Sequence, residues 1–413
     1  MKETDASNVV SFVLARFLPR RCKQFLRLLH TFFSPIITKF LDFLDGFLWL
    51  NYNPRYQIKK FLYDRRRNRI LKRHDIHLIN CKKISSAVPD TLNSDIVPRI
   101  MTIIPYWENG MDKFCSGDFF TEIFLSSCDR YGAENTRKLK NVSGENWIEA
   151  TKSEILTFDP NYLIMDVEHD PVQSEWWSLD VFLTELRASG WEGKIVVIAF
   201  DSVWDSTRFH IDRITDHISN VIVVTIDRPH LRRNNDCVRY LGPVVLPMSL
   251  GTIRILRNLR HDPLQRNLNT TFVGSLYGYR RVFLESLNSQ PDTTLVVNPQ
   301  GKGVDYYNYL LELGKARSTI NFSRSSGKNL RQFKCRIIES ALLGCVVITD
   351  GENLISHHFP RIISLSFRNV KSLNRAIISG PELQKLSIEV NKPEYLMYIE
   401  DLVANSFWNQ VVG

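Results

Sequence analysis

Apolar strands recur down this chain with a helix-length stretch between each pair, and that alternation leaves few folds open. β-Branched runs stand at Arg99–Tyr106, Tyr162–Val167, Lys194–Phe200 and Val221–Ile226. Helical spacing fills the gaps at Cys115–Tyr131, Gly144–Thr157, Ser174–Ser189 and Ser206–Ser219. A second series has strands at Thr270–Gly274, Thr293–Asn298, Ser318–Ser323, Cys345–Thr349 and Arg361–Ser366. Its helices fall at Tyr279–Ser289, Val304–Ala316, Leu330–Leu343 and Val370–Ser379. Strands apolar on both faces, joined by crossovers this long, pair in parallel inside an α/β sheet. The pattern therefore predicts two doubly wound domains in tandem. Their joint falls near Leu241–Gly251, where prolines and glycines break the periodicity. The boundaries read as an extension over 1–75, an N-terminal domain over 76–247, a C-terminal domain over 248–390 and a helical tail over 391–413.

The formal charge of +9 suggests a polyanion partner until it is mapped. Residues 1–75 hold 16 Lys and Arg against 6 Asp and Glu, whereas the other 338 hold 37 against 38. The basic segment is helical and amphipathic, with Phe32, Phe33, Ile36, Ile37 and Phe40 on one spacing. Lys39, Asp42 and Asp45 interrupt it, which disfavours a bilayer-spanning helix. Two readings stand for it: peripheral contact with an anionic membrane surface, or a helical hairpin packed on the body. No nucleic-acid motif accompanies the charge, so nucleic acid is not expected as a partner.

Seven scattered cysteines with no CxxC pair argue against a disulfide framework and against a zinc site. A reducing, cytoplasmic setting follows, with contact at the inner face of the membrane through residues 1–75. No metal is expected, and no cofactor.

Ligands of open α/β sheets sit beyond the carboxyl ends of the strands. In the C-terminal domain TTFVGSLYGYRR gives a strand, a turn at Gly274 and Ser275, and a helix start with Arg280. INFSRSSGKNLRQFKCR then places Ser323, Arg324, Lys328, Lys334 and Arg336 around another strand end, a plausible anion site. Glu339 lies three residues after Arg336 on the same helical face, and the next strand stops at Thr349, Asp350 and Gly351. A carboxylate there can accept hydrogen bonds from both ribose hydroxyls. The alternative is an intrahelical Arg336–Glu339 ion pair that stabilises the helix alone.

The stretches FVGSLYGYRR, YYNYLLELGKARSTINFS and FKCRIIESALLGCVVITDGENLISHHFP resemble the C-terminal half of the GT-B glycosyltransferases. They are most similar to the spore-coat CgeB-like group, related to the group 1 (GT4-like) enzymes. The resemblance runs from Thr270 to Ser379, follows the same order more loosely over Arg99–Pro247 and leaves out residues 1–75. It implies two Rossmann-like domains facing a cleft, a nucleotide-diphosphate sugar as donor, ribose contact at Glu339 and the donor diphosphate near Arg280. It departs from the family where Arg331 stands for a first glutamate and Ser275 for an arginine.

The N-terminal half is then expected to supply the acceptor surface and a base. Asp166, Glu168, His169 and Asp201 follow buried strands and are the base candidates, although each also suits a helix cap. Glu108, Asn109 and Gly110, in PYWENG, resemble the family's acceptor-side loop. The expected activity is sugar transfer, without a metal, to the hydroxyl of a glycan or lipid-linked acceptor. The alternatives are an inactive nucleotide-sugar binder and a membrane-surface scaffold.

Overall fold

Two parallel sheets account for the strand pattern. The computed structural model describes residues 54–73, 97–105, 107–108, 118–140, 147–168, 179–200, 205–226, 234–274, 279–287, 293–297, 305–323, 333–350, 352–378 and 380–413. The apolar segment at residues 32–40 lies outside them. A basic helix, α1 (Pro54–Arg73), comes first.

The first sheet contains β1 (Ile100–Ile104), β2 (Thr136–Lys140), β3 (Tyr162–Asp166), β4 (Lys194–Ala199), β5 (Val221–Thr225) and β6 (Val238–Leu241). Their order is β2-β1-β3-β4-β5-β6, and every pairing is parallel. Helices α2 (Phe119–Tyr131), α3 (Trp147–Phe158), α4 (Leu179–Ala188) and α5 (Asp205–His217) connect them. Both faces are covered, which is why β1, β3 and β5 are buried throughout and mostly apolar. Met101, Ile103 and Leu163 enter one core, while Ile100, Ile104 and Ile164 enter the other. The edge strand β2, TRKLK, reads half-exposed and basic, as an unpaired sheet edge favours.

The second sheet is built from β7 (Leu268–Gly274), β8 (Thr293–Val297), β9 (Ala316–Asn321), β10 (Val346–Thr349) and β11 (Ser364–Ser366), in the order β11-β10-β9-β7-β8. Helix α6 (Leu250–Asn258) leads into it, and α7 (Tyr279–Glu285), α8 (Tyr306–Gly314), α9 (Cys335–Leu342), α10 (Glu352–His358) and α11 (Val370–Ile378) cover it. Counted within its own lobe, the first sheet runs 2-1-3-4-5-6 and the second 2-1-3-4-5, so each has its topological switch between its first and third strands. The fold is α/β with two Rossmann-like lobes.

The lobes belong to one compact unit, Ile58–Gly413. The linker alternates between their cores: Val244 and Leu246 enter the first, and Val245 enters the second. After α12 (Gly380–Glu389), helix α13 (Pro393–Val411) does the same over a longer span. Its Tyr395, Ile399 and Val403 pack in the second lobe, whereas Phe407, Trp408 and Val411 pack in the first. The Trp408 indole N–H also donates to Ser126 Oγ at 2.9 Å. Across the joint, Glu122 of α2 accepts from Ser249 N (2.9 Å) and Thr252 Oγ1 (2.7 Å), and Asp129 accepts from Leu250 N (2.7 Å). Carboxylates of the first lobe thus satisfy the open N–H groups at the start of α6 in the second.

At the amino ends of the strands each lobe buries an arginine among carbonyls. Arg187 donates to the carbonyls of Trp191, Gly193 and Ser219. Arg266 donates to those of His261, Ala316, Leu343 and Gly344. Packing is fixed on that side, which leaves the carboxyl ends for a ligand.

Candidate functional site

In the second lobe, the strand ends gather around Glu339. Most of helix α9 is buried, and Glu339 lies in its buried stretch with Ile337, Ile338, Ser340 and Ala341. Tyr306 and Tyr309, one turn apart on α8, both reach it. The Tyr306 hydroxyl donates to Oε1 and the Tyr309 hydroxyl to Oε2, each at 2.6 Å. Their rings stack with centroids 5.7 Å apart. Burial first, then the Glu339 charge, pushes both phenols well above their usual range, so they stay protonated donors. Burial and the same charge push the Cys335 thiol up to about 12.

Arg336 does not pair with Glu339. Its Nη2 donates to the Val273 carbonyl and its Nε to the Tyr309 hydroxyl at 3.3 Å, and the guanidinium lies over the Phe272 ring, 5.1 Å from the centroid. The Tyr309 hydroxyl therefore stands between the arginine and the glutamate. Gly274 makes room for this arrangement: its φ is +152°, and a Cβ there would lie 3.2 Å from Arg336 Nη2. The space at this glycine thus holds an arginine of the chain itself.

The other strand ends are stapled together. Asp350 accepts from Ser323 N and Ser323 Oγ, both at 2.6 Å, and Asn321 Nδ2 donates to Thr349 Oγ1 at 3.2 Å. Arg280 is half-buried with its guanidinium 5.8 Å from the Phe322 centroid, and half-buried Lys334 occupies the N-cap position of α9. Arg280, Lys334 and Arg336 thus mark the described cations around the carboxyl ends of this sheet.

At the switch point of the first lobe, Asp166 ends β3 and Trp107 follows β1. The indole N–H donates to Asp166 Oδ2 at 3.0 Å, and the Glu168 N–H donates to Oδ1 at 3.1 Å. Burial lifts the Asp166 carboxyl to about 6, against the pull of those donors. Trp107 is 43% exposed, and its ring sits 6.0 Å from that of Phe200. Glu168 accepts from the Thr207 hydroxyl of α5.

Glu108 turns inward. Its carboxylate accepts from Phe120 N (2.7 Å) and Thr121 N (3.0 Å), capping α2 where an acceptor contact was expected. Burial raises this carboxyl to about 7. An acid with a raised folded pKa contributes stability that is complete below its unfolded pKa of 4.5 and is lost as pH rises through about 7. Relative to Glu108→Gln, the wild type is expected to lose about 2 kcal/mol of unfolding free energy between about pH 5 and about pH 8. Denaturant titrations of both proteins at the two pH values check this.

A cavity of about 320 Å³ lies between the lobes. Phe119 and Glu122 of α2, the linker from Val244 to Ser249, and Tyr306, Ile338 and Glu339 line it. Its walls are mainly apolar, its charged lining groups are Asp118, Glu122 and Glu339, and no described lysine or arginine lines it. Among the described site residues predicted from sequence, only Glu339 lines this cavity. Asp166 lies off it, linked through the rings of Phe119, Phe200 and Trp107. His169, Asp201, Asn109, Gly110, Ser275, Arg324, Lys328 and Gly351 lie outside the described residues. Sequence reasoning missed Tyr306, Tyr309, Trp107 and Glu122; the first two lie one turn apart on α8, and only the fold brings that helix beside α9.

No protein-family model matches the chain, and no curated protein matches it. Two solved structures show likeness at low identity. One is AviGT4, a glycosyltransferase involved in avilamycin A biosynthesis, with 11% identity and a TM-score of 0.39 over 76% of this chain and 97% of that one. The other is an alpha1,3-fucosyltransferase, with 13% identity and a TM-score of 0.37 over 79% of this chain and 93% of that one.

Proposed function

We propose that the chain is a glycosyltransferase that moves a sugar from a nucleotide-diphosphate donor to an acceptor hydroxyl, with Glu339 accepting the ribose hydroxyls. The observation that carries this reading is the Glu339 carboxylate, anchored by two tyrosine donors at the wall of the cavity between the lobes. An ionised carboxylate offers about four lone-pair sites, and the tyrosines use two of them. Two remain for a diol.

The charge pattern divides the donor. An acid-lined apolar cavity suits a nucleoside and repels phosphate, so the diphosphate belongs outside it, at the strand ends marked by Arg280, Lys334 and Arg336. Arg324 and Lys328 add to the same stretch of sequence. Positioned cations stabilise the charge that develops on the departing diphosphate without a metal. The acceptor, a glycan or a lipid-linked hydroxyl, approaches from the first lobe, where Asp166 is the preferred base. Closure of the lobes excludes water from the transfer.

Titration with UDP-, GDP- and ADP-sugars tests the reading: transfer or hydrolysis supports an enzyme, binding alone supports a silent binder, and no binding removes the proposal. Losing a charge-assisted hydrogen-bond acceptor weakens binding by about tenfold to a hundredfold, the drop expected of Glu339→Ala by calorimetry. An unchanged affinity in a variant of normal melting temperature would reassign the site.

A further inference from the structure

Helix α1 carries nearly all of the chain's net charge. Nine of its 20 residues are Lys or Arg and one is acidic, so the other 393 residues balance 44 cations against 43 acids. Its described side chains divide by helical position. Ile58, Phe61 and Leu62 are 60%, 63% and 56% exposed, and Arg65, Arg69 and Lys72 are exposed as well. At about 100° per residue these six form one stripe, apolar over its first two turns and cationic over the rest. Lys60 points the other way. Its ammonium lies 3.0 Å from Asp216 and 3.4 Å from Asp212, both on α5 of the first lobe. The ion pairs pin the opposite face of α1 to the body and hold the stripe outward.

We infer that this stripe is a docking surface for an anionic lipid membrane, on which α1 lies in the plane of the interface. Three large apolar side chains exposed side by side are a liability in water unless something covers them. Apolar groups inserted at the acyl boundary beside cations at the headgroup level are what an interfacial helix presents to a bilayer. The charge disfavours a second copy of α1 as the cover, since two such helices repel. A nucleic-acid backbone would match the cations and leave Ile58, Phe61 and Leu62 in water. No described helix is long and apolar enough to cross a membrane, which agrees with a helix that lies on one. The inference narrows the expectation for residues 1–75 to one face of one helix, and it stands apart from the donor-site proposal.

Sedimentation of the full chain with vesicles tests it. Binding is expected to vesicles of phosphatidylcholine with about 30% phosphatidylglycerol at about 0.1 M salt, at least about tenfold tighter than to phosphatidylcholine alone. Arg65→Gln with Arg69→Gln should weaken it about 25-fold, at about fivefold per cation. Phe61→Ser with Leu62→Ser should weaken it at least about tenfold, because the apolar insertion is lost. All four positions are exposed, so melting temperatures should stay unchanged and keep the comparison interpretable. Equal binding to neutral vesicles, or no binding to either, overturns the inference. So does a serine variant with full affinity, and duplex DNA that displaces the protein from vesicles equally well with and without the serine pair would reassign the face to polyanions. Nucleotide-sugar affinity measured on the same samples reports separately on the donor site.

Discussion

Replacing Arg266 with methionine is expected to destabilise the second lobe by about 4 kcal/mol, measured by denaturant unfolding. The guanidinium is buried and donates to four carbonyls, at distances of 2.7–3.0 Å for Leu343, Gly344, Ala316 and His261. Two of these, Leu343 and Gly344, are the open carbonyls at the end of α9, where a cation also opposes the negative end of the helix dipole. Methionine fills similar space but leaves those groups buried without a donor, and each unsatisfied group costs about 1–3 kcal/mol. Asn391 still donates to the Gly344 carbonyl at 2.8 Å, which limits the loss there. Gly344 holds φ at +69° with the Asn391 side chain against it, so the end of the helix has little freedom to re-form differently. Because α9 carries Glu339, the variant should also bind nucleotide more weakly. Arg266→Lys should fall between the two, since one ammonium cannot reach all four carbonyls.

The interior strands of both sheets were legible because they are rich in apolar or β-branched residues on both faces, a signal independent of any partner. The edge strands of the first sheet lack that signal. TRKLK of β2 pairs along one side only and keeps Arg137, Lys138 and Lys140 in or near water, so its residues read as polar loop. VRYL of β6, at the opposite edge, failed for the same reason. Within the site, Glu339 could be found because a carboxylate one turn from an arginine, just before a buried strand, is unusual in itself. Its tyrosine partners could not be found, since α8 lies 30 residues or more earlier and only the fold brings it alongside. The same limit explains Arg336 and Glu108. Charge and position marked Arg336 as a ligand contact and the family resemblance marked Glu108, yet the contacts they make are to the Val273 carbonyl and to the first N–H groups of α2, and no local spacing encodes either.

Asp166→Asn is expected to lower the transfer rate by about 10²- to 10⁴-fold while leaving nucleotide affinity unchanged. A base must be ionised to take a proton, and a carboxyl lifted to about 6 by burial is largely ionised at neutral pH while remaining more basic than an ordinary carboxylate. The wild-type kcat/KM should therefore rise through about pH 6 and level off, and the variant should lose that limb. Stability separates this from a folding defect. The proton-linked stability of Asp166 is complete below its usual 3.8 and lost as pH rises through about 6. At about pH 8 the buried charge thus costs about 3 kcal/mol, while asparagine, facing the Trp107 and Glu168 donors with one amide nitrogen, gives back about 1 kcal/mol. The variant should be at least as stable as the wild type at that pH and far less active. That combination marks a carboxylate kept in a costly place for its chemistry, since a purely structural group would lose stability when replaced. A variant that keeps its rate, or keeps the pH limb near 6, would move the base to another residue of the first lobe.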